Sequence, residues 1–284
     1  MLNALLIGVP ALAGGIAATR VYGNRRWEAL TRRLHGRLEA ARMPLARYSV
    51  DLAELDGLPE PVQRCLRAAL RKGAPLVTGA RARHMGTFNM GRRAARWKRF
   101  TSEQKIVTRR PGFAWDARIE MAPGVHLRVH DAYVAGEGWL QAAVYGAVPV
   151  LRLRGPGELA EGELMRFFAE AVWYPTALLP SQGVAWEPVD ERSAYGVLED
   201  GGTRLALLFT FSEKGLIETV RAQARGRAVD GGFEPTPWEG RFWNYAERGG
   251  MKVPLEGEVA WVLPEGPCPY WRGRLIDVSY EFAR

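Results

Sequence analysis

Thr236–Trp271 reads TPWEGRFWNYAERGGMKVPLEGEVAWVLPEGPCPYW and holds four of the chain's ten tryptophans, Trp238, Trp243, Trp261 and Trp271. Gly249-Gly250 suits a two-residue primed turn, and a hairpin centred there has a defined register. Glu247 faces Lys252, Arg241 faces Glu258 and Trp238 faces Trp261. Trp238, Trp261, Phe242, Leu255 and Val259 share the face opposite the two charge pairs. Each such cross-strand pair is worth roughly 0.2–1 kcal/mol. A one-residue slip would set apolar side chains against charges. Pro254 falls at a non-hydrogen-bonded pair, so its missing N–H costs nothing toward this partner. On its outer side it weakens pairing, which predicts an edge there. The stretch therefore predicts a curved sheet whose apolar face needs a covering layer or a ligand.

Outward from this hairpin the chain keeps the same texture. Short alternating runs punctuated by Gly or Pro predict strands at 76–90, 95–108, 113–121, 124–134, 137–146, 183–189, 194–199, 203–212, 215–224, 237–247, 251–263 and 270–282. One helix interrupts them, Glu158–Tyr174, with Leu164, Phe167, Phe168, Ala171 and Val172 as its apolar stripe and Pro175 as its stop. Another precedes them over Pro59–Arg71, where Val62, Cys65, Leu66, Ala69 and Leu70 have the spacing of one buried face. About a dozen strands with few helices predict an α+β, mostly β fold. Its core is a large curved antiparallel sheet, an open half-barrel with covering helices, plus an N-terminal membrane helix.

The chain of 284 residues carries a net charge of +8, unevenly spread. Residues 1–110 hold +15 and residues 111–284 hold −7. An asymmetry of this kind points to a membrane surface or another polyanion, and an arginine-rich composition explains it equally well. Residues 81–110 are basic and include Trp97 and Phe100, as a single-strand groove would require. No nucleic-acid motif accompanies them, and nucleic acid is not an expected partner. Two cysteines, Cys65 and Cys268, build no disulfide framework.

Leu2–Ala18 is uncharged and is followed by Arg20, Arg25, Arg26, Arg32 and Arg33. As a helix it reaches roughly 25 Å, just short of a ~30 Å hydrocarbon core. An uncleaved anchor is the preferred reading, with a signal peptide or a buried soluble helix as alternatives. Asn24–Arg42 is a basic amphipathic helix with Trp27, Leu30, Leu34, Leu38 and Ala41 on one stripe. It suits anionic headgroups and packing on the domain equally. The expected organisation is an anchor over 1–20, an amphipathic helix and connector over 21–57, and the half-barrel over 58–284. The expected location is a bacterial inner membrane. The arginines after the apolar run favour the cytoplasmic side.

Serine-elbow, P-loop, dinucleotide and zinc-protease signatures are missing from the sequence. His126 and His130 alternate with Val125, Leu127 and Val129, so they belong to a strand and stand roughly 13 Å apart, too far to share a metal. That strand is expected to expose them, and neither metal nor cofactor is expected. More informative are charges set among aromatics. Trp115, Asp116, Arg118, Arg166, Glu170, Trp173, Trp238, Arg241, Trp261 and Trp271 are the candidate ligand-contacting residues, the tryptophans as walls and Arg166 and Arg241 as polar anchors. The same charges also fit structural ion pairs. The leading functional reading is a non-enzymatic binder of an apolar or lipid-like ligand. The alternatives are a hydrolase or isomerase with Asp116 or Glu170 as base, and a protein-interaction module.

PGFAWDARIEMAPG (111–124), ELMRFFAEAVWYPTALLPS (163–181), TPWEGRFWNY (236–245) and EVAWVLPEGPCPYWRG (258–273) resemble segments of a bacterial domain family of unknown function, over about residues 58–282. That family carries no activity or site residue to transfer. More remotely, the order of elements is similar to that of the periplasmic lipoprotein carriers and related lipid-binding half-barrels. Their fold implies an apolar concavity covered by helices and, against the charge pattern, a place outside the cytoplasm.

Overall fold

The opening hairpin forms in the predicted register. In the computed structural model, which describes residues 2–91, 94–229 and 231–284 (residues 2–14 and 16 by their backbone alone), Trp238 pairs with Trp261, Arg241 with Glu258 and Glu247 with Lys252. Gly249 and Gly250 turn the chain with φ of 56° and 79°, the left-handed pair that glycine adopts without a Cβ penalty.

Thirteen strands follow one another: β1 (Val77–Asn89), β2 (Trp97–Val107), β3 (Gly112–Ala122), β4 (Val125–Val134), β5 (Glu137–Val144), β6 (Val148–Gly155), β7 (Ala185–Asp190), β8 (Ser193–Asp200), β9 (Thr203–Phe211), β10 (Ile217–Val229), β11 (Gly232–Arg248), β12 (Met251–Leu263) and β13 (Gly266–Phe282). They make one antiparallel sheet in the order β6-β5-β4-β3-β2-β1-β13-β12-β11-β10-β9-β8-β7. Every neighbour is a hairpin partner except at β1–β13, which joins the two halves from Val77↔Phe282 to Phe88↔Trp271. β6 and β7 stay unpaired at the two edges, so the sheet curves without closing. The unpredicted strand is β6, VPVLRLRG, whose side chains are mostly exposed on both faces and so show no inside–outside alternation.

Between the two edge strands the chain crosses the concave face as α3 (Glu158–Ala169) and three 3₁₀ turns, Glu170–Trp173, Pro175–Leu178 and Pro180–Gln182. The α-helix thus ends five residues before the predicted boundary at Tyr174. Tyr174 precedes a proline, which disfavours the helical region, and it adopts φ −138°, ψ 61°. α2 (Glu60–Ala69) buries Val62, Cys65, Leu66 and Ala69 in the same concave core.

Pro254 does not mark an edge, because β12 lies inside the sheet. The β12–β13 ladder instead stops at Glu256↔Arg274. Beyond it the Pro254 carbonyl accepts a hydrogen bond from Trp173 Nε1 at 3.0 Å, so the covering turn takes the place of a neighbouring strand.

Residues 2–40 form one continuous helix, α1 (Leu2–Ala40). Among the described residues no helix is long and apolar enough to cross a membrane. The membrane-spanning helix expected over residues 2–18 therefore has no support, and most of its side chains lie outside the described residues. The C-terminal half of α1 docks on the convex face of the sheet. Leu34 and Leu38 pack there with Val107, Ala114, Ala132 and Val134, and Trp27 is buried. The amphipathic stripe thus packs on the sheet. His126 and His130, expected to be exposed, are both buried, His130 beneath Trp27 and His126 against Tyr145.

Candidate functional site

A cavity of about 230 Å³ lies between the concave face of the sheet and α3 with its following turn. The strand alternation that turns Trp115, Val129, Trp238, Phe242 and Trp271 inward supplies its walls, and Trp173 closes it from the 3₁₀ turn. Phe88 and Met90 at the end of β1, Leu127 near the start of β4 and Tyr270 near the start of β13 also line it. These positions put the cavity toward the end of the sheet that carries the β1–β2, β3–β4, β5–β6 and β12–β13 turns.

One side of this apolar chamber is charged. Asp131, Arg166, Glu170 and Arg225 reach the cavity wall. Arg166 Nη1 donates to Asp131 Oδ2 at 2.6 Å and its Nε to Glu170 Oε1 at 2.8 Å. Buried Gln104 donates to Glu170 Oε2 at 2.6 Å. Arg225 Nη2 donates to Glu163 Oε1 at 3.2 Å, and its guanidinium lies 4.9 Å from the Trp238 ring centre. A Cβ on Gly162 would meet Arg225 Nε at 3.3 Å. That close approach accounts for a glycine inside α3, where it costs about 1 kcal/mol against alanine.

The environment sets the protonation of these groups. Burial, followed by the Asp131 charge, holds the Glu163 carboxyl well above the usual range. Arg166 is held firmly charged: burial opposes this, and Glu170, Asp131 and Glu163 outweigh it. Next to the cavity, His84 is enclosed by Trp173 at 4.7 Å and Trp271 at 6.0 Å. Burial and then Arg166 lower its pKa to about 3, so it is neutral, and neither ring nitrogen has a partner among the described residues.

Of the ten sequence candidates, Trp115, Arg166, Glu170, Trp173, Trp238 and Trp271 line this cavity. Trp261 stacks on Tyr270 at 5.9 Å without lining it. Asp116, Arg118 and Arg241 point the other way. Asp116 is next in β3 to the inward Trp115 and therefore lies on the convex face. It accepts from Trp27 Nε1 at 3.0 Å, from Thr31 Oγ1 at 3.1 Å and from Arg128 Nη2 at 2.9 and 3.0 Å. A base at Asp116 acting in the cavity is thereby excluded. Glu170 does line the cavity, but both of its oxygens are engaged. Arg241, on the exposed convex side, pairs in register with Glu258.

Arg225 stands at the cavity wall where Arg241 was expected, and the sequence reading missed it. The ladder of β10 with β11 shifts by one residue between Ala222↔Trp238 and Arg225↔Thr236. This bulge turns Arg225 to the same face as Val220 and Ala222, where strict alternation would point it outward. Nothing local in the sequence joins Asp131 to Arg166, 35 residues away. Gln104 and His84 gave no signal beyond an alternating strand.

No curated protein matches the chain. Among solved structures, a LolA superfamily protein from Nitrosomonas europaea is similar at TM-score 0.34 and 10% identity, over 80% of this chain and 95% of that one. A superposition that loose carries no argument about ligand or activity. The family match is extensive: residues 56–280 fit the family of unknown function DUF6920, and the chain belongs to that family.

Proposed function

We propose that the protein binds an apolar or lipid-like molecule in the concave cavity, and that it does so at a membrane surface. The observation that carries the first part is the cavity itself: about 230 Å³ lined by four tryptophans and further aromatic and aliphatic side chains, with charge on one side only. Small-molecule sites share this make-up, an apolar chamber with a few converging polar groups.

The geometry of α1 supports the second part. Arg20 Nη2 donates to the Gly124 carbonyl in the β3–β4 turn at 2.6 Å, and Arg26 Nη1 to Ala147 in the β5–β6 turn at 3.1 Å. A Cβ on Gly23 would stand 2.2 Å from the Tyr145 carbonyl oxygen, so the helix passes this end of the sheet in close contact. The cavity lies toward the same end. N-terminal to Arg20 the helix continues through the apolar run, and Val21, Tyr22 and Val148 are exposed beside it. An apolar segment followed by arginines suits a bilayer surface, here taken to be the bacterial inner membrane.

Purified full-length protein, extracted and examined by lipid mass spectrometry, tests the binding reading. A stoichiometric apolar molecule is expected. Repeated recovery of empty protein, together with no uptake from mixed phospholipid vesicles, would count against it.

A further inference from the structure

Among the described residues, the polar side of the cavity has no cation to spare. Arg166 is divided between Asp131 and Glu170, and Gln104 occupies the remaining Glu170 oxygen. Arg225 is held by Glu163 and by the faces of Trp238 and Trp261. Two guanidiniums therefore meet three carboxyl groups. Within this cluster two buried carboxyl oxygens lack a partner among the described residues, Asp131 Oδ1 and Glu163 Oε2.

One proton resolves both. Held on the Glu163 carboxyl, which lies within hydrogen-bonding reach of Asp131, it serves the two oxygens together and leaves Arg166, Arg225, Asp131 and Glu170 as a balanced set. Burial, followed by the Asp131 charge, raises the Glu163 carboxyl in the direction this requires. A further carboxylate brought into this side would find both guanidinium charges already balanced, and a buried anion with no opposite charge of its own is strongly disfavoured. A hydroxyl or amide, by contrast, adds no charge to the balanced set.

We infer that the cavity selects amphiphiles with an uncharged, hydrogen-bond-donating polar end, of the long-chain alcohol, primary amide or monoacylglycerol class, over fatty-acid anions of the same chain length. This rests on the binding function proposed above. Charge neutrality of the polar cluster sets the preference, so a change in that charge must change it.

The test is displacement of Nile red from the full-length protein by decanol, decanamide, decanoate and decylammonium. It is run at about pH 8, well above the ordinary carboxylate range. Decanol and decanamide are expected to compete at concentrations lower than decanoate and decylammonium by about tenfold or more, a difference of about 1.4 kcal/mol per decade. Decanoate or decylammonium matching the neutral pair overturns the inference but leaves the binding function standing. Displacement by none of the four removes both.

Glu163→Gln fixes the neutral state and is expected to keep the order. Adding Glu170→Gln leaves one net positive charge that residue 163 can no longer offset, and is expected to raise decanoate competition about tenfold. Glu163→Gln with Asp131→Asn makes the same charge change at the other carboxylate, should the first pair fail to fold. A folded double variant with no gain for decanoate overturns the inference.

Discussion

The indole of Trp27 stacks on the imidazole of His130, 4.0 Å between ring centres and 17° between planes, while its Nε1 donates to Asp116 at 3.0 Å. Thr31, one turn further along α1, reaches both partners, 2.7 Å from His130 Nε2 and 3.1 Å from Asp116 Oδ2. The helix is thus fastened to the convex face by a part-buried polar network as well as by Leu34 and Leu38.

Trp27→Ala is expected to cost about 3–5 kcal/mol, as for other large-to-small changes at buried aromatics. Trp27→Phe keeps the stack and loses the hydrogen bond, so it is expected to cost about 1–3 kcal/mol. Urea unfolding of the two variants measures both. An unchanged midpoint for Trp27→Ala would show that α1 does not dock.

Asp116 titrates at about 2 in the folded chain: burial pushes it up, but hydrogen bonding and charge from His130, then Arg128 and Trp27, outweigh that. A depressed carboxylate stabilises above its ordinary pKa of 3.8, and that stability is lost as pH falls through 2. The amount is about 2 kcal/mol. In Asp116→Asn the loss of stability between those two pH values should be correspondingly shallower, read from urea midpoints on acidification.

His84 acts over a higher window. Its folded pKa of about 3 lies below the ordinary 6.5, so between these values the unfolded chain takes up a proton that the folded chain does not. Stability should therefore fall as pH drops from 6.5 toward 3, at up to about 1.4 kcal/mol per pH unit. His84→Met should flatten that slope; an unaltered slope means another group is responsible.

Ala142 lies in the cavity wall with little exposure. Ala142→Leu extends a side chain into empty space, so thermal stability should stay within about 1 kcal/mol of the parent. Nile red capacity should fall markedly. Retained capacity in a folded Ala142→Leu variant would place the probe elsewhere.

Leu6→Asp with Ile7→Asp puts two charges into the apolar run that precedes Arg20. Flotation with anionic phospholipid vesicles should show the parent bound and the variant free, because each charge in an apolar interface costs a few kcal/mol. Nile red binding should be unaffected, which separates membrane contact from the cavity.

The sequence was informative wherever chemistry repeats locally. Six candidate residues line the cavity because tryptophans and helix stripes follow the strand and helix periods. Asp116 went astray for a different reason. Alternation shows that two sets of side chains face opposite ways, but it does not say which set is inside when both are covered. With α1 on the convex face and α3 on the concave one, Asp116 is partly buried on the far side from Trp115. β6 escaped notice because, exposed on both faces, it carries no period at all.

The sequence by itself determined the Gly249-Gly250 hairpin, its Trp238–Trp261 and Arg241–Glu258 pairs and the buried faces of α2 and α3. Turn chemistry and neighbouring side chains act over a few residues, and those are written consecutively. Tertiary structure alone decided the pairing of β1 with β13, the docking of α1 over His130, the capture of the Pro254 carbonyl by Trp173 and the bulge that brings Arg225 to Glu163. Each joins segments far apart in the chain, and packing with hydrogen-bond satisfaction selects them only once the whole sheet has curved.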